Sequence, residues 1–457
     1  MLALLDRRGS FKGFWRVLIA FGLLNAPFWW LAQSNFLSRS WFNVDLLIPL
    51  LMATFSPLAG LVCLALLWAL DMAVSQSLAW HFHSPFEFIR SIEFLPSVHL
   101  AGYVAPGRLA MSAPFVLCAA LAILITRKVK TVWRSAIVIF VVVALIDVFN
   151  GSSFFWFSAT RPLPGNVAGS AVKMTVSSML GASDESLRRL PPGTSLASKV
   201  DVRAWALAHP DRSVMIVLIE SMGLHQDPRM RAWLREQLAD APTLERFDLR
   251  EIDVPFRGST TAAELRELCD LEGSYRSLNT RSGATCLPHV FDAMGWQSIG
   301  LHGFSRRMFM RGKWWESTGL QRRLFAEDLA IPNQVLCGGA FEGICDADVL
   351  RRAAREASEP KKFVYVVTLN SHLPLGPTSV PLRLDAVCKA ADVGTNACDL
   401  TAVDGHALQA LREALLAVER RPLVLVVGDH APPFTDLYTR QQYSQTMVPG
   451  FALIPKN

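Results

Sequence analysis

The feature that most constrains this chain is the crowding of apolar residues into its first third. Leu, Ala, Val, Phe and Trp dominate residues 14–150, while charge is concentrated before residue 17 and after residue 180. Five apolar segments can be drawn, at roughly 14–33, 42–55, 57–79, 107–126 and 134–150. A membrane span needs about 20 apolar residues. The first, third and fourth segments meet that length. The second is short and meets the third at Ser56-Pro57, a tight turn or kink, so four or five spans are expected. A cleaved signal peptide would account for the first segment but not for the apolar segments behind it.

Positive charge in short loops sets the expected orientation. Arg7, Arg8, Lys12 and Arg16 precede the first segment, and Arg127, Lys128, Lys130 and Arg134 lie between the fourth and fifth. Both clusters share one side if four crossings return the chain to its start. The fifth crossing then leaves everything after about residue 151 outside the cytoplasm. Trp29, Trp30, Trp80 and the run Phe154-Phe155-Trp156-Phe157 suit membrane interfaces, and equally suit plain hydrophobic packing. The net charge of +6 is thus read as topology. No Lys/Arg stripe points to a nucleic-acid partner.

Cysteine usage agrees. Cys63 and Cys118 fall in apolar segments, whereas Cys269, Cys286, Cys337, Cys345, Cys388 and Cys398 lie in the outer part. An even set in an oxidising compartment reads as disulfides. Proximity in sequence favours 269–286, 337–345 and 388–398. A zinc cluster is the rival reading, and the sequence has no C-x-x-C pair to support it.

The outer region divides into a connector over 151–211 and an α/β domain over 212–457. The connector carries the breakers Pro162-Leu163-Pro164-Gly165 and Pro191-Pro192-Gly193, and a short helix is expected over 198–208. Then Val214–Ile219 forms a continuous apolar run, the mark of a strand buried on both faces. Similar runs follow at 298–301, 363–368 and 423–427, with helical stretches at 261–271, 346–357 and 404–419. This alternation predicts an α/β sandwich with a largely parallel sheet.

Reactive groups in such folds collect past the C-terminal ends of the strands. Here those ends deliver Glu220-Ser221, His302-Gly303, Asn370-Ser371-His372 and Gly428-Asp429-His430. Glu220, Asp429 and His430 offer mixed carboxylate and imidazole ligands that suit Zn²⁺ or Mn²⁺. The turn Gly258-Ser259-Thr260-Thr261-Ala262-Ala263-Glu264 opens into a helix and offers a hydroxyl nucleophile. A phosphate is favoured at such a helix start. The same residues also read as an ordinary capping box.

Taken in order, Ile219-Glu220-Ser221, Gly258-x-Thr260-x-x-Ala263-Glu264, His302-Gly303, Asn370-Ser371-His372 and Gly428-Asp429-His430 resemble the alkaline phosphatase superfamily. Within it the chain resembles the membrane-anchored branch of lipoteichoic acid synthases and of phosphoglycerol and phosphoethanolamine transferases. The likeness spans about 214–455, and the apolar anchor fits it. It implies that Thr260 is nucleophile and metal ligand, with Glu220, Asp429 and His430 as the other ligands. It also implies that His302 and Arg311 bind phosphate and donor head group, that His372 contacts the phosphate or leaving oxygen, and that Phe309 lines the pocket. Phe304 departs from the pattern, because the glycerol-phosphate enzymes tend to carry a polar or acidic residue there. A sulfatase reading fails at Cys286-Leu287-Pro288-His289-Val290, which has Val where the sulfatase motif needs Arg.

The function expected is transfer of a phospholipid head-group phosphate, phosphoethanolamine or phosphoglycerol, to an envelope glycan or glycolipid. The same residues with water as acceptor would make a hydrolase, and a chain that kept only the fold would be a non-catalytic scaffold. The expected place is a bacterial cytoplasmic membrane, with the catalytic domain outside.

Overall fold

The computed structural model describes residues 8–33, 43–82, 85–98, 112–127, 129, 132–149, 187–330, 334–376, 384–434 and 437–456. Arg7, Lys128, Lys130, the Phe154–Phe157 cluster and connector residues 151–186 lie outside these, as do the side chains of Trp29 and Trp30. The chain divides into two compact units. One comprises Met1–Arg90, Val104–Ser178 and Phe434–Leu437. The other comprises Ser91–Tyr103, Met179–Pro433 and Tyr438–Asn457.

In the first unit the apolar segments are helical: α1 (Arg8–Gln33), α2 (Leu47–Met52), α3 (Pro57–Ala79), α4 (Ser112–Thr126) and α5 (Val132–Phe149). Pro57 opens α3, where its missing N–H and fixed φ are no handicap. Val17, Phe21 and Leu24 of α1 form a core with Leu46, Leu50, Leu64, Ala119, Ala122 and Ile139. The buried amide of Asn25 is satisfied, since its Oδ1 accepts from the Asn43 N–H at 2.7 Å. The outward positions are also apolar: Leu58 is 69% exposed, Leu66 67% and Val116 64%. Among the described residues no helix is long and apolar enough to cross a membrane.

The second unit is built on a seven-stranded mixed sheet. Its strands are β1 (Val214–Ile219), β2 (Phe247–Glu251), β3 (Gln297–His302), β4 (Arg322–Leu324), β5 (Lys362–Val367), β6 (Leu423–Gly428) and β7 (Gly450–Pro455), in the order β2-β7-β6-β1-β5-β3-β4. The central strands β6, β1, β5 and β3 are mutually parallel, while β7 runs antiparallel to β6 and to β2. Every residue of β1, β5 and β6 is buried, which is why these strands read as unbroken apolar runs.

The expected runs at 214–219, 298–301 and 423–427 fall on strands, and 363–368 does so up to Val367, with Thr368 just past the end of β5. On one face Met215, Val217, Val364, Val366, Val424 and Val426 pack against two helices, Asp346–Ala357 and Thr395–Leu416. The first of these occupies its expected span. The second begins nine residues before the expected 404. The connector helix is split at Asp201, whose left-handed backbone separates Leu196–Val200 from Val202–Ala208.

Register matters for function. Gly428 pairs with Ile219, and Val367 pairs with both Leu218 and His302. Four parallel strands therefore end level, and the residues just beyond them meet at one edge. Gly428 is required there, because an added Cβ would lie 2.0 Å from the Met222 carbonyl oxygen. Three disulfides brace the loops: Cys269–Cys286, Cys337–Cys345 and Cys388–Cys398, with Sγ–Sγ distances of 2.01, 1.94 and 2.09 Å. These are the pairings that sequence proximity favours.

Candidate active site

Glu220, one residue past β1, and Asp429 and His430, just past β6, bring one ligand atom each to within 4.8 Å of one another. All three are buried. Asp429 Oδ1 accepts from the backbone N–H groups of Ser221 at 2.8 Å and His430 at 2.7 Å. Its Oδ2 is buried, has no hydrogen-bond partner and lies 3.2 Å from His430 Nε2. His430 Nδ1 faces the Ala431 carbonyl at 2.9 Å. A carbonyl only accepts, so Nδ1 is the donor nitrogen, and Nε2 is the one that faces Asp429 and Glu220. Burial, helped by the Glu220 charge and opposed by His430, raises the Asp429 carboxyl to about 7. Converging carboxylates, an orphaned buried oxygen and an oriented imidazole fit a divalent cation of the Zn²⁺ or Mn²⁺ kind.

Thr260 opens the helix Thr260–Cys269. The capping alternative does not describe it. Ser259 is the N-cap residue and makes no side-chain cap bond, while Thr260 Oγ1 donates to Glu220 Oε2 at 3.1 Å. The hydroxyl is also 3.4 Å from His430 Nε2. Gly258, at φ +83°, makes the turn that brings this helix start to the sheet edge.

The second half of the constellation adjoins the first. His302 ends β3 and faces the Val367 carbonyl through Nδ1 at 3.0 Å, and Arg311 Nη1 lies 3.4 Å from its Nε2. Burial, then the Arg311 charge, holds His302 down at about 3, so it is neutral near pH 7. His372 faces the Leu373 carbonyl through Nδ1 at 2.9 Å, and burial lowers it too. Its basic nitrogen is therefore Nε2. Arg311 is no surface charge, being only 3% exposed. Phe309 places its ring 5.4 Å from the Arg311 guanidinium carbon. Phe304 is buried and packs on Phe341, with ring centroids 5.8 Å apart.

Several supporting residues escape a reading of the sequence. Glu264 lies one turn beyond Thr260 on the same helix face. It is fully buried, accepts from Arg311 Nε at 2.9 Å and Nη2 at 2.8 Å, and takes the Trp315 indole N–H at 2.8 Å. Burial raises its carboxyl, and these donors work against the rise. Arg266 donates to the carbonyls of Gly428 at 3.0 Å and Asp429 at 3.4 Å, and pairs with Glu267 at 2.6 Å. One helix thus presents the hydroxyl, anchors the guanidinium and pins the end of β6. Ser371 donates to the Glu220 carbonyl. The motif Thr260-x-x-Ala263-Glu264 marks Glu264 by position alone, and nothing in the sequence signals its partners.

A pH dependence follows from two buried histidines. His302 and His225 are each held down at about 3 from an ordinary 6.5, mainly by burial. A depressed folded value means the unfolded chain binds more protons between about pH 3 and 6.5, so stability is full above that window and falls as pH drops through it. His225 donates to or accepts from the Thr401 hydroxyl at 2.8 Å. His225→Gln keeps that contact without titrating. The melting temperature of the variant is expected to fall less steeply from pH 7 to pH 4 than that of the parent. Equal slopes would contradict this assignment.

No protein-family model matches the chain, and no curated protein matches it in sequence. Among solved structures it is similar to the lipoteichoic acid synthase LtaP from Listeria monocytogenes, at 13% identity and a TM-score of 0.39, over 55% of this chain and 67% of that one. It is similar to the phosphoglycerol transferase GacH from Streptococcus pyogenes, solved with sn-glycerol-1-phosphate, at 16% identity and a TM-score of 0.36, over 58% and 77%. The periplasmic domain of EcEptC from Escherichia coli, in complex with Zn, matches at 13% identity and a TM-score of 0.36, over 54% and 74%.

Proposed function

We propose that this chain is a membrane-anchored transferase that moves a phospholipid head-group phosphate, phosphoethanolamine or phosphoglycerol, onto an envelope glycan or glycolipid outside the cytoplasm. The observation carrying this reading is the Thr260 hydroxyl, set at a helix start between Glu220 and His430, with the His302–Arg311 pair alongside. Glu220, Thr260, Asp429 and His430 would hold Zn²⁺ or Mn²⁺, which when bound neutralises charge at the phosphate and lowers the hydroxyl pKa.

Arg311 offers a planar guanidinium to the phosphate oxygens and shares that role with His302. Thr260 Oγ1 attacks phosphorus, an O–P bond forms, and the bond to diacylglycerol breaks. The proton lost by Thr260 ends on the departing oxygen. An acceptor hydroxyl then displaces Thr260, which regains a proton, with His372 placed at the phosphate or the oxygen that leaves.

Several features support a membrane setting. Among the described side chains, α3 exposes Leu58, Leu61, Val62 and Leu66 and α4 exposes Val116, Leu117, Leu121 and Leu124, as lipid-facing helices do. Segment Ile92–Ser97 lies between the third and fourth apolar segments and belongs to the compact unit that holds the site. That loop and the site share one side if the fifth segment crosses outward, as the basic loops suggest. Three disulfides suit an oxidising compartment.

The product decides between transfer and hydrolysis. The full chain, given phosphatidylglycerol or phosphatidylethanolamine vesicles and a candidate glycan, is expected to modify the glycan as diacylglycerol accumulates. Free head group with no modified acceptor would replace the transferase by a hydrolase.

A further inference from the structure

The corner that presents Arg311 is strained. Phe309 (φ 49°, ψ 24°) and Met310 (φ 56°, ψ 26°) are consecutive non-glycine residues in the left-handed region. L-residues disfavour that region, and such backbones persist where their surroundings over-determine them. From inside, Glu264 and Trp315 hold the arginine and its helix, and Trp314 Nε1 donates to the Phe309 carbonyl at 3.1 Å.

From outside, the corner is held by residues far away in sequence. The ring of Phe94, in the segment Ile92–Ser97, packs edge-on to Phe309 at 5.4 Å. Phe94 is buried with Phe304, Met308, Phe341 and Leu369. Arg276 spans the joint: its Nη1 lies 3.2 Å from Met310 Sδ, its guanidinium sits 6.0 Å over the Phe94 ring, and its Nη2 pairs with Glu93.

We propose that Glu93, Phe94 and Arg276 form an external clamp that keeps the Phe309–Met310 corner in its strained form and so positions Arg311 for the donor phosphate. These are positioning residues, because they reach Arg311 through Phe309 and Met310. A stretch of chain flanked by apolar segments thereby completes the phosphate-binding side of the site. The inference rests on the reading of Arg311 as a phosphate ligand.

The Glu93–Arg276 pair is partly exposed, with side chains 50% and 29% accessible, so reversing one charge should disturb the joint without unfolding the unit. The test uses the full chain in mixed phosphatidylglycerol and phosphatidylethanolamine vesicles. The variants are Glu93→Arg, Arg276→Glu, the double reversal, and Phe94→Ala. Each single reversal, and Phe94→Ala, is expected to speed amide exchange over residues 307–312. Each is also expected to raise the donor KM by about tenfold with a much smaller change in kcat, the mark of lost binding. The double reversal is expected to restore both.

Unchanged exchange and KM in the single reversals would overturn the clamp. Faster exchange with an unmoved KM would overturn its link to Arg311. If the parent protein turns over neither phospholipid while exchange responds and is rescued as stated, the transferase reading fails and the clamp stands.

Discussion

Thr260→Ala is expected to cost on the order of 10³- to 10⁶-fold in turnover, as loss of a covalent nucleophile does. The fold should survive, because the change removes a hydroxyl and a methyl at a helix start where Ser259 and the Gly258 turn keep their backbone roles. Divalent-cation affinity should fall far less than turnover, since Glu220, Asp429 and His430 remain. Thr260→Ser should recover most of the activity, because it restores an Oγ at the same place. Steady-state kinetics beside metal titration of the same preparations would check this. A Thr260→Ala protein that still turned over donor at the parent rate would remove Thr260 from the chemistry. An unchanged envelope phenotype in cells carrying it would favour the scaffold alternative.

The second large effect is structural. Glu264→Ala leaves the Arg311 guanidinium, 3% exposed, without its counter-charge, and leaves the Trp315 N–H without an acceptor. Removing one partner of a buried pair costs about 3–5 kcal/mol. Denaturant unfolding should show a loss of that order, together with impaired donor binding as the guanidinium seeks other contacts. Glu264→Gln keeps an acceptor oxygen and should cost less stability. A loss of under about 1 kcal/mol in Glu264→Ala would place that pair with the weakly contributing ion pairs seen at surfaces.

Much of this arrangement is legible in the sequence, for a physical reason. Strands buried on both faces must be apolar throughout, so β1, β5 and β6 announce themselves, and the first polar residue after each run marks the sheet edge. Glu220 and the Asp429-His430 pair follow β1 and β6 in this way, and His302 closes the apolar run of β3. The disulfides are legible because their separations, 17, 8 and 10 residues, leave neighbouring cysteines as natural partners.

What escapes is what depends on distant partners. Strand β2, Phe247–Glu251, is a sheet edge with exposed charges, so it offers no unbroken apolar run. The helix Thr395–Leu416 starts in the small and polar stretch Thr395-Asn396-Ala397-Cys398-Asp399, which gives little apolar periodicity, so only its later turns are visible. Glu264 resembles any exposed helix carboxylate until Arg311, 47 residues on, is brought to it. Glu93 and Arg276 are 183 residues apart, and no local pattern joins them.

The proposed function turns on uptake of a phospholipid head-group phosphate by Thr260. Peptide mass analysis of the full chain, quenched with acid after incubation with phosphatidylglycerol or phosphatidylethanolamine vesicles and a divalent cation, tests it most directly. A head-group phosphate adduct is expected on the peptide that holds Thr260, absent in Thr260→Ala, with a mass that names the donor. Diacylglycerol release without any adduct on Thr260, or an adduct that persists in Thr260→Ala, would contradict it.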